Sequence, residues 1–335
     1  MVVDVLAGLL SVPADTIRMQ PGSDGGADVV VSAGGQRFAI ECKGSSSPGL
    51  VEAVAKRAAD VSASTARNRT IPLVAVPFMS ASGRRVCERA GLGWFDLSGN
   101  ARIVAPGLRI VVDGQPNKFP KRGRPSSVFA PKSSRVARWL LMHPDKAHTQ
   151  RALALATMVS EGLVSRIISR LEREKYVARS DGIVRLTNPR LLLDAWQDEY
   201  RFSKHTIIEG HVAARSGDAL TRNVADLLSA GKLDHAATGL SAAWQFNHFA
   251  GFRIATFFVE HEPNDAIRRE LGFRQDPRGA NLWLVVPNDD GVFHGADDCE
   301  GVRCVHPVQA YLDLKGHPER ARDAAERLRA ETLSY

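Results

Sequence analysis

The sequence predicts a multidomain protein of mixed α/β and α+β class, and three observations carry that prediction. Two alternating apolar runs flank Gly34-Gly35 and are followed by helix-like and strand-like segments in turn. After a basic, proline-rich stretch, three helical segments precede a short hairpin. Beyond residue 196 the chain returns to interleaved strands and helices. A chain of 335 residues holds about two or three cores. The composition shifts divide it at 1–112, a linker 113–132, 133–195 and 196–335.

Apolar residues make up 44% and charged residues 24%, which excludes a disordered or collagen-like chain. The longest apolar stretches, such as Ile71 to Met79, fall far short of the ~20 residues a bilayer span needs. The run Val2 to Leu10 contains Asp4, with no basic residue before it and no small-residue cleavage site after it. The expectation is a cytoplasmic protein without a membrane partner. Cys42, Cys87, Cys299 and Cys304 are too scattered for a disulfide framework, so reduced thiols are expected.

The net charge is +7, and residues 113–195 alone hold 16 basic against 7 acidic side chains. Residues 196–335 hold 16 against 21. A basic segment between less basic ones suits a nucleic-acid-binding module. A solvated Arg-rich helix face would give the same sum, so the fold of that segment has to decide.

In the N-terminal part, Gly34-Gly35 suits a two-residue hairpin turn between the runs DVVVSA and QRFAIECK. With that turn as centre, Val29 faces Ile40, Val31 faces Phe38, and Asp28 faces Glu41. Lys43 projects to the same side as Glu41. Two carboxylates so placed repel unless a cation or proton lies between them. A helix from Pro48 to Ala66, a strand from Ile71 to Pro77, a helix from Ser80 to Ala90 and the turn DLSGN should follow. The Asp, the ExK strand and this order resemble the PD-(D/E)XK nucleases, the restriction-endonuclease-like α/β fold, in their Mrr-type branch. The resemblance implies Asp28 and Glu41 as ligands of Mg²⁺ and Lys43 as the catalytic lysine, with Asp4 or Asp15 as candidates to complete the site. Read from the residues alone, Glu41 and Lys43 form a surface salt bridge and Asp28 caps a turn. Asp96 of DLSGN reads equally as structural.

Residues 113–135 carry six basic side chains, one acid and four prolines, which predicts an extended linker. Within it, Lys121-Arg122-Gly123-Arg124-Pro125 resembles an AT-hook core, implying that Arg122 and Arg124 lie along a minor groove; a merely basic linker is the alternative. Ser133 or Ser134 can cap a helix that Pro144 stops, Thr149 one over 150–158, and Ser160 a third with the apolar stripe Leu163, Ile167, Ile168 and Leu171. A hairpin around Asp181-Gly182 completes a winged helix-turn-helix pattern. The third helix should enter the major groove with Ser160, Glu161, Ser165, Arg166 and Ser169, while Arg170 and Arg173 lie nearer phosphate. Arg179 and Arg185 are wing candidates. A protein-docking role is the alternative for such a module.

The phrases TGLSAAWQF, GANLWLVVPNDDGVF and VHPVQAYLDLKGHPERARDAAERL, taken with the winged helix, resemble the AbiEi antitoxins of type IV toxin–antitoxin systems. The resemblance covers residues 133–335 and implies a winged-helix repressor with a C-terminal α/β domain related to a degenerate nucleotidyltransferase fold. It also implies a cognate toxin or operon partner. The acidic pair that nucleotide transfer needs is missing after LSAAW. Strands are expected at 253–259 and 281–286, and a final helix from Glu319 to Leu333. His294, Cys299, Cys304 and His306 offer zinc-type ligands, but their spacing favours buried thiols. The favoured expectation is a homodimeric regulator of double-stranded DNA, and the alternative a Mg²⁺-dependent endonuclease steered by its winged helix.

Overall fold

The structure, a computed structural model, describes residues 1–22, 27–64, 70–120, 127–249 and 251–335. The chain divides into two compact units, Met1–Ser126 with Leu171–Tyr176, and Ser127–Arg170 with Val177–Tyr335. The segments 133–195 and 196–335 thus lie mostly in one unit.

The first unit opens with α1 (Val2–Leu10), then the antiparallel strands β1 (Arg18–Pro21), β2 (Val29–Ala33) and β3 (Gln36–Cys42). Gly34 and Gly35 have φ of 56° and 75°, the left-handed pair that this tight turn demands. Helix α2 (Pro48–Ser64) leads to β4 (Thr70–Val76), and α3 (Ala81–Ala90) to β5 (Gly93–Asp96). Both crossovers make parallel pairs, β3 with β4 and β4 with β5, as helical connections do. Strands β6 (Ala101–Ala105) and β7 (Leu108–Val112) then turn back, completing a seven-stranded sheet in sequence order. Alternation along β3 puts Phe38 and Ile40 into a core with Leu6, Leu73, Phe95 and Ile103. Arg37, Ala39 and Glu41 take the other face.

Asp96 proves structural. It is fully buried, and its carboxylate accepts from the amides of Met79 (3.1 Å), Ser98 (3.0 Å) and Asn100 (2.9 Å) and from Asn100 Nδ2 (2.9 Å). The linker is less extended than its prolines suggest. Gln115 N donates to Asn100 Oδ1 at 2.8 Å and Lys118 N to Ser98 Oγ at 3.1 Å, which ties 115–118 to this turn. At the other end Val128 is buried, and the Phe129 ring stacks on Trp196 at 5.7 Å. Arg122 and Arg124 lie outside the described residues.

The second unit begins with α4 (Ser134–Met142), β8 (Ala147–Thr149), α5 (Gln150–Thr157), α6 (Glu161–Arg173), β9 (Val177–Ser180) and β10 (Ile183–Leu186). Thr149 Oγ1 accepts from Ala152 N at 3.1 Å, the cap expected for α5. On α6 the buried stripe is Val164, Ile167, Ile168 and Leu171, with Leu163 only half-buried. Asp181 and Gly182 have φ of 52° and 75°, so the hairpin turns as its Asp-Gly pair predicts. Strand β8 adds to the hairpin, giving the order β8-β10-β9.

Helix α7 (Pro189–Glu199) is followed by β11 (Thr206–His211), α8 (Gly217–Ala230), β12 (His235–Ala237), α9 (Gly239–Asn247) and β13 (Ala255–Val259). Then come α10 (Asp265–Leu271), β14 (Arg274–Gln275), β15 (Leu282–Val286), β16 (Asp297–Cys299), β17 (Val302–Cys304), α11 (Pro307–Leu314) and α12 (Ala321–Leu328). Their seven strands form a mixed sheet, β14-β11-β15-β13-β12-β17-β16. The last helix is shorter than its Ala, Glu and Arg content predicts: after Leu328 the chain widens into a π turn, Arg329–Leu333. Among the described residues, no single helix is long and apolar enough to cross a membrane.

Candidate nucleic-acid interface

On α6, Gly162, Ser165, Arg166, Ser169 and Arg173 recur at three- and four-residue steps, opposite the buried stripe. The helix therefore places Ser165, Arg166, Ser169 and Arg173 on one outer face, with Glu161 and Arg170 on its flanks. Ser160, Glu161, Arg166 and Arg173 are exposed, while Ser165, Ser169 and Arg170 are half-buried. Arg166 Nε also reaches back to the Gly162 carbonyl at 3.3 Å. The hairpin does not bring its two arginines together. Arg179 pairs across with Val184, and Arg185 with Ala178, so the two exposed guanidiniums leave from opposite faces.

What holds α4 in place was not visible in the sequence. Arg138, on the apolar side of α4, is only 2% exposed. Its NH2 donates to Gln309 Oε1 of α11 at 2.5 Å, and its guanidinium lies 5.1 Å from the Trp196 ring centre. Gln309 Nε2 in turn donates to Asp313 Oδ1 at 2.8 Å. Asp313 also accepts from Tyr200 OH and from Thr238 Oγ1 (2.5 Å). Burial pushes the Asp313 carboxyl up to about 7, against the pull of these donors and of Arg138. Burial likewise lowers Arg138 to about 10 and, with Arg138 nearby, His205 to about 4. Nearer the surface, Arg135 clamps Asp289 through Nε (2.7 Å) and NH2 (2.9 Å).

In the first unit the β2–β3 ladder runs from Ala33↔Gln36 to Val29↔Ile40 and stops one residue short of the expected Asp28–Glu41 pair. Asp28 N donates to the Ile40 carbonyl (3.0 Å), and the Asp28 carboxylate accepts from Cys42 N (2.7 Å). Asp28 is exposed; Glu41 is buried and bonded through Oε1 to Lys43 Nζ at 2.7 Å and to Arg57 of α2. Glu41 and Lys43 thus share a face as expected, and Arg57 joins them. Asp4 pairs with the N-terminal amine at 2.6 Å on α1, which covers the opposite face. Among the described residues, one oxygen of Asp28 and Oε2 of Glu41 remain unengaged. These are hard ligands suited to Mg²⁺ with its retained waters. No third acid joins them: among the described residues no group of three or more His, Cys, Asp or Glu side chains could hold a metal.

His294, Cys299, Cys304 and His306 of the C-terminal part form no such group either. All four cysteines are free, and His306 Nδ1 accepts from Val308 N at 3.2 Å as the cap of α11.

Comparison with known protein families matches residues 185–334 to a family described as a transcriptional regulator, the AbiEi antitoxin of a type IV toxin–antitoxin system. The C-terminal part of the chain is similar to AbiEi antitoxins. The match begins within β10, so α4, α5 and α6 lie outside it. Searches of curated proteins and of solved structures return no match.

Proposed function

We propose that the protein is a transcriptional regulator of the antitoxin kind that binds double-stranded DNA through its three-helix and hairpin module. The observation that carries this reading is the outer face of α6, where Ser165, Arg166, Ser169 and Arg173 align within the most basic segment of the chain. Serines reach base edges or phosphates and arginines can grip guanine or phosphate oxygens, so such a face both positions and reads a duplex. Arg179 or Arg185, leaving opposite sides of the hairpin, would hold the flanking backbone, and Arg122 and Arg124 would add linker contacts. The likeness of residues 185–334 to antitoxins supports a cognate toxin or operon partner, and a palindromic operator would call for a homodimer in the cytoplasm. The test is duplex binding as a function of salt. Arg166→Ala and Arg185→Ala should each lower the slope of log K against log salt by about 1. An unchanged slope in both would sink the reading.

A second reading is favoured by one contact, the 2.7 Å pair of Lys43 with Glu41 beside Asp28. Here the first unit is a PD-(D/E)XK deoxyribonuclease. Asp28 and Glu41 would hold Mg²⁺, which supplies charge stabilisation at the scissile phosphate. Lys43 would orient the attacking water, and Arg57 would fix the Glu41 carboxylate. Plasmid cleavage in Mg²⁺, lost in Asp28→Ala and Lys43→Ala with DNA binding retained, would establish it. Intact plasmid after incubation with the wild type would refute it.

A further inference from the structure

The face of the first sheet that carries Glu41 has a second polar feature, which neither reading uses. Arg18 of β1 pairs with Ser32 of β2, and Ser32 pairs with Arg37 of β3. Directly paired residues project to the same side of a sheet, so Arg18, Ser32 and Arg37 form a row across three strands. All three are exposed. With the Gly34–Gly35 turn they line one open concavity of about 610 Å³. A Cβ at either glycine would meet nothing within 4 Å, so the turn leaves that wall open. Among the described residues neither guanidinium has an acidic partner.

We infer that this concavity is a binding site for the phosphodiester backbone of DNA. Two unpaired guanidiniums flanking a hydroxyl, at a wall of small residues, match the shape and charge of a phosphate diester, whose oxygens only accept hydrogen bonds. The site lies at a fixed remove from the acidic cluster. Arg37 and Glu41 are four residues apart on one strand and one face, about 13 Å at roughly 3.3 Å per residue. The two clusters are thus far enough apart to face different phosphates of one strand. A backbone laid along β3 would therefore be held at Arg18 and Arg37 while a later phosphate passes Glu41 and Lys43. The inference rests on neither cleavage nor the α6 face.

The test uses the full chain and a short duplex, in the wild type and in an Arg166→Ala/Arg185→Ala background. In each, Arg18→Ala/Arg37→Ala is compared with Arg18→Lys/Arg37→Lys. Removing two phosphate contacts should flatten the fall in affinity between 50 and 200 mM salt by about tenfold, and the lysine pair should restore most of it. The restoration separates a charge effect from loss of folding. Equal slopes for all forms in both backgrounds overturn the inference. So does loss of inorganic-phosphate binding in Arg18→Ala/Arg37→Ala with no change in DNA binding, which would assign the concavity to a free phosphate. Because the α6 variants are read separately, a failure there leaves this result interpretable.

Discussion

Arg138 and Gln309 meet at 2.5 Å in the interior of the second unit, so α4 is fastened to α11 by a buried charge rather than by apolar packing alone. Gln309 serves two masters there, accepting from Arg138 and donating to Asp313. Replacing it takes away the acceptor of a buried guanidinium and leaves the Trp196 ring and the nearby charges of Asp289 and Asp313 around it. Gln309→Leu should lose about 3 kcal/mol of stability in urea unfolding, as removal of the acceptor of a buried charged donor does. Arg138→Met added to it should recover part of that loss. A double variant no more stable than the single one would show that packing, not the orphaned charge, sets the cost.

The Asp313 carboxyl, raised by burial to about 7, gives a pH signature with a definite sign. Its unfolded value is about 3.9, so the folded chain holds the proton more tightly. The stabilisation is fully present below pH ~4 and is lost as pH rises through about 7. His205, lowered to about 4, acts in the opposite direction by penalising acid. The comparison of wild type with Asp313→Asn isolates the carboxyl. The stability difference should shift in favour of Asn by several kcal/mol between pH 4 and pH 8 and stay level beyond. A difference independent of pH would mean that Asp313 is charged throughout.

Asp96 anchors the β5–β6 turn by accepting four hydrogen bonds inside the first unit. Asp96→Ala would leave buried donors unpaired, each costing on the order of 1–3 kcal/mol. The first unit should melt well below the wild type, followed by near-ultraviolet signals of Trp94, which sits on the same strand. A melting temperature within a degree or two of the wild type would contradict this account.

Thr149 caps α5 through a single 3.1 Å contact. Thr149→Ala should cost about 1 kcal/mol, and Thr149→Asp should restore most of it because the N-terminus of a helix favours negative charge. Chemical denaturation of the three forms checks both signs.

Local chemistry set much of this protein in its sequence. Gly34-Gly35 and Asp181-Gly182 specified their turns because few residues accept consecutive positive φ, and period-two alternation then put Glu41 and Lys43 on one face. Thr149 marked a helix start because its oxygen satisfies a free amide at the helix end. Tertiary structure decided what depends on residues distant in the chain. Arg138 read as one more cation until α11 supplied Gln309, 171 residues away. Arg57 joined Glu41 only because α2 crosses back over β3, and Arg18 reached Arg37 only through the strand between them. At Asp28 the ladder gives way to an amide bonded to the Ile40 carbonyl and a carboxylate that accepts from Cys42 N. Periodicity fixes which way a side chain points; which partner meets it is set by the packing of elements that sequence spacing does not encode.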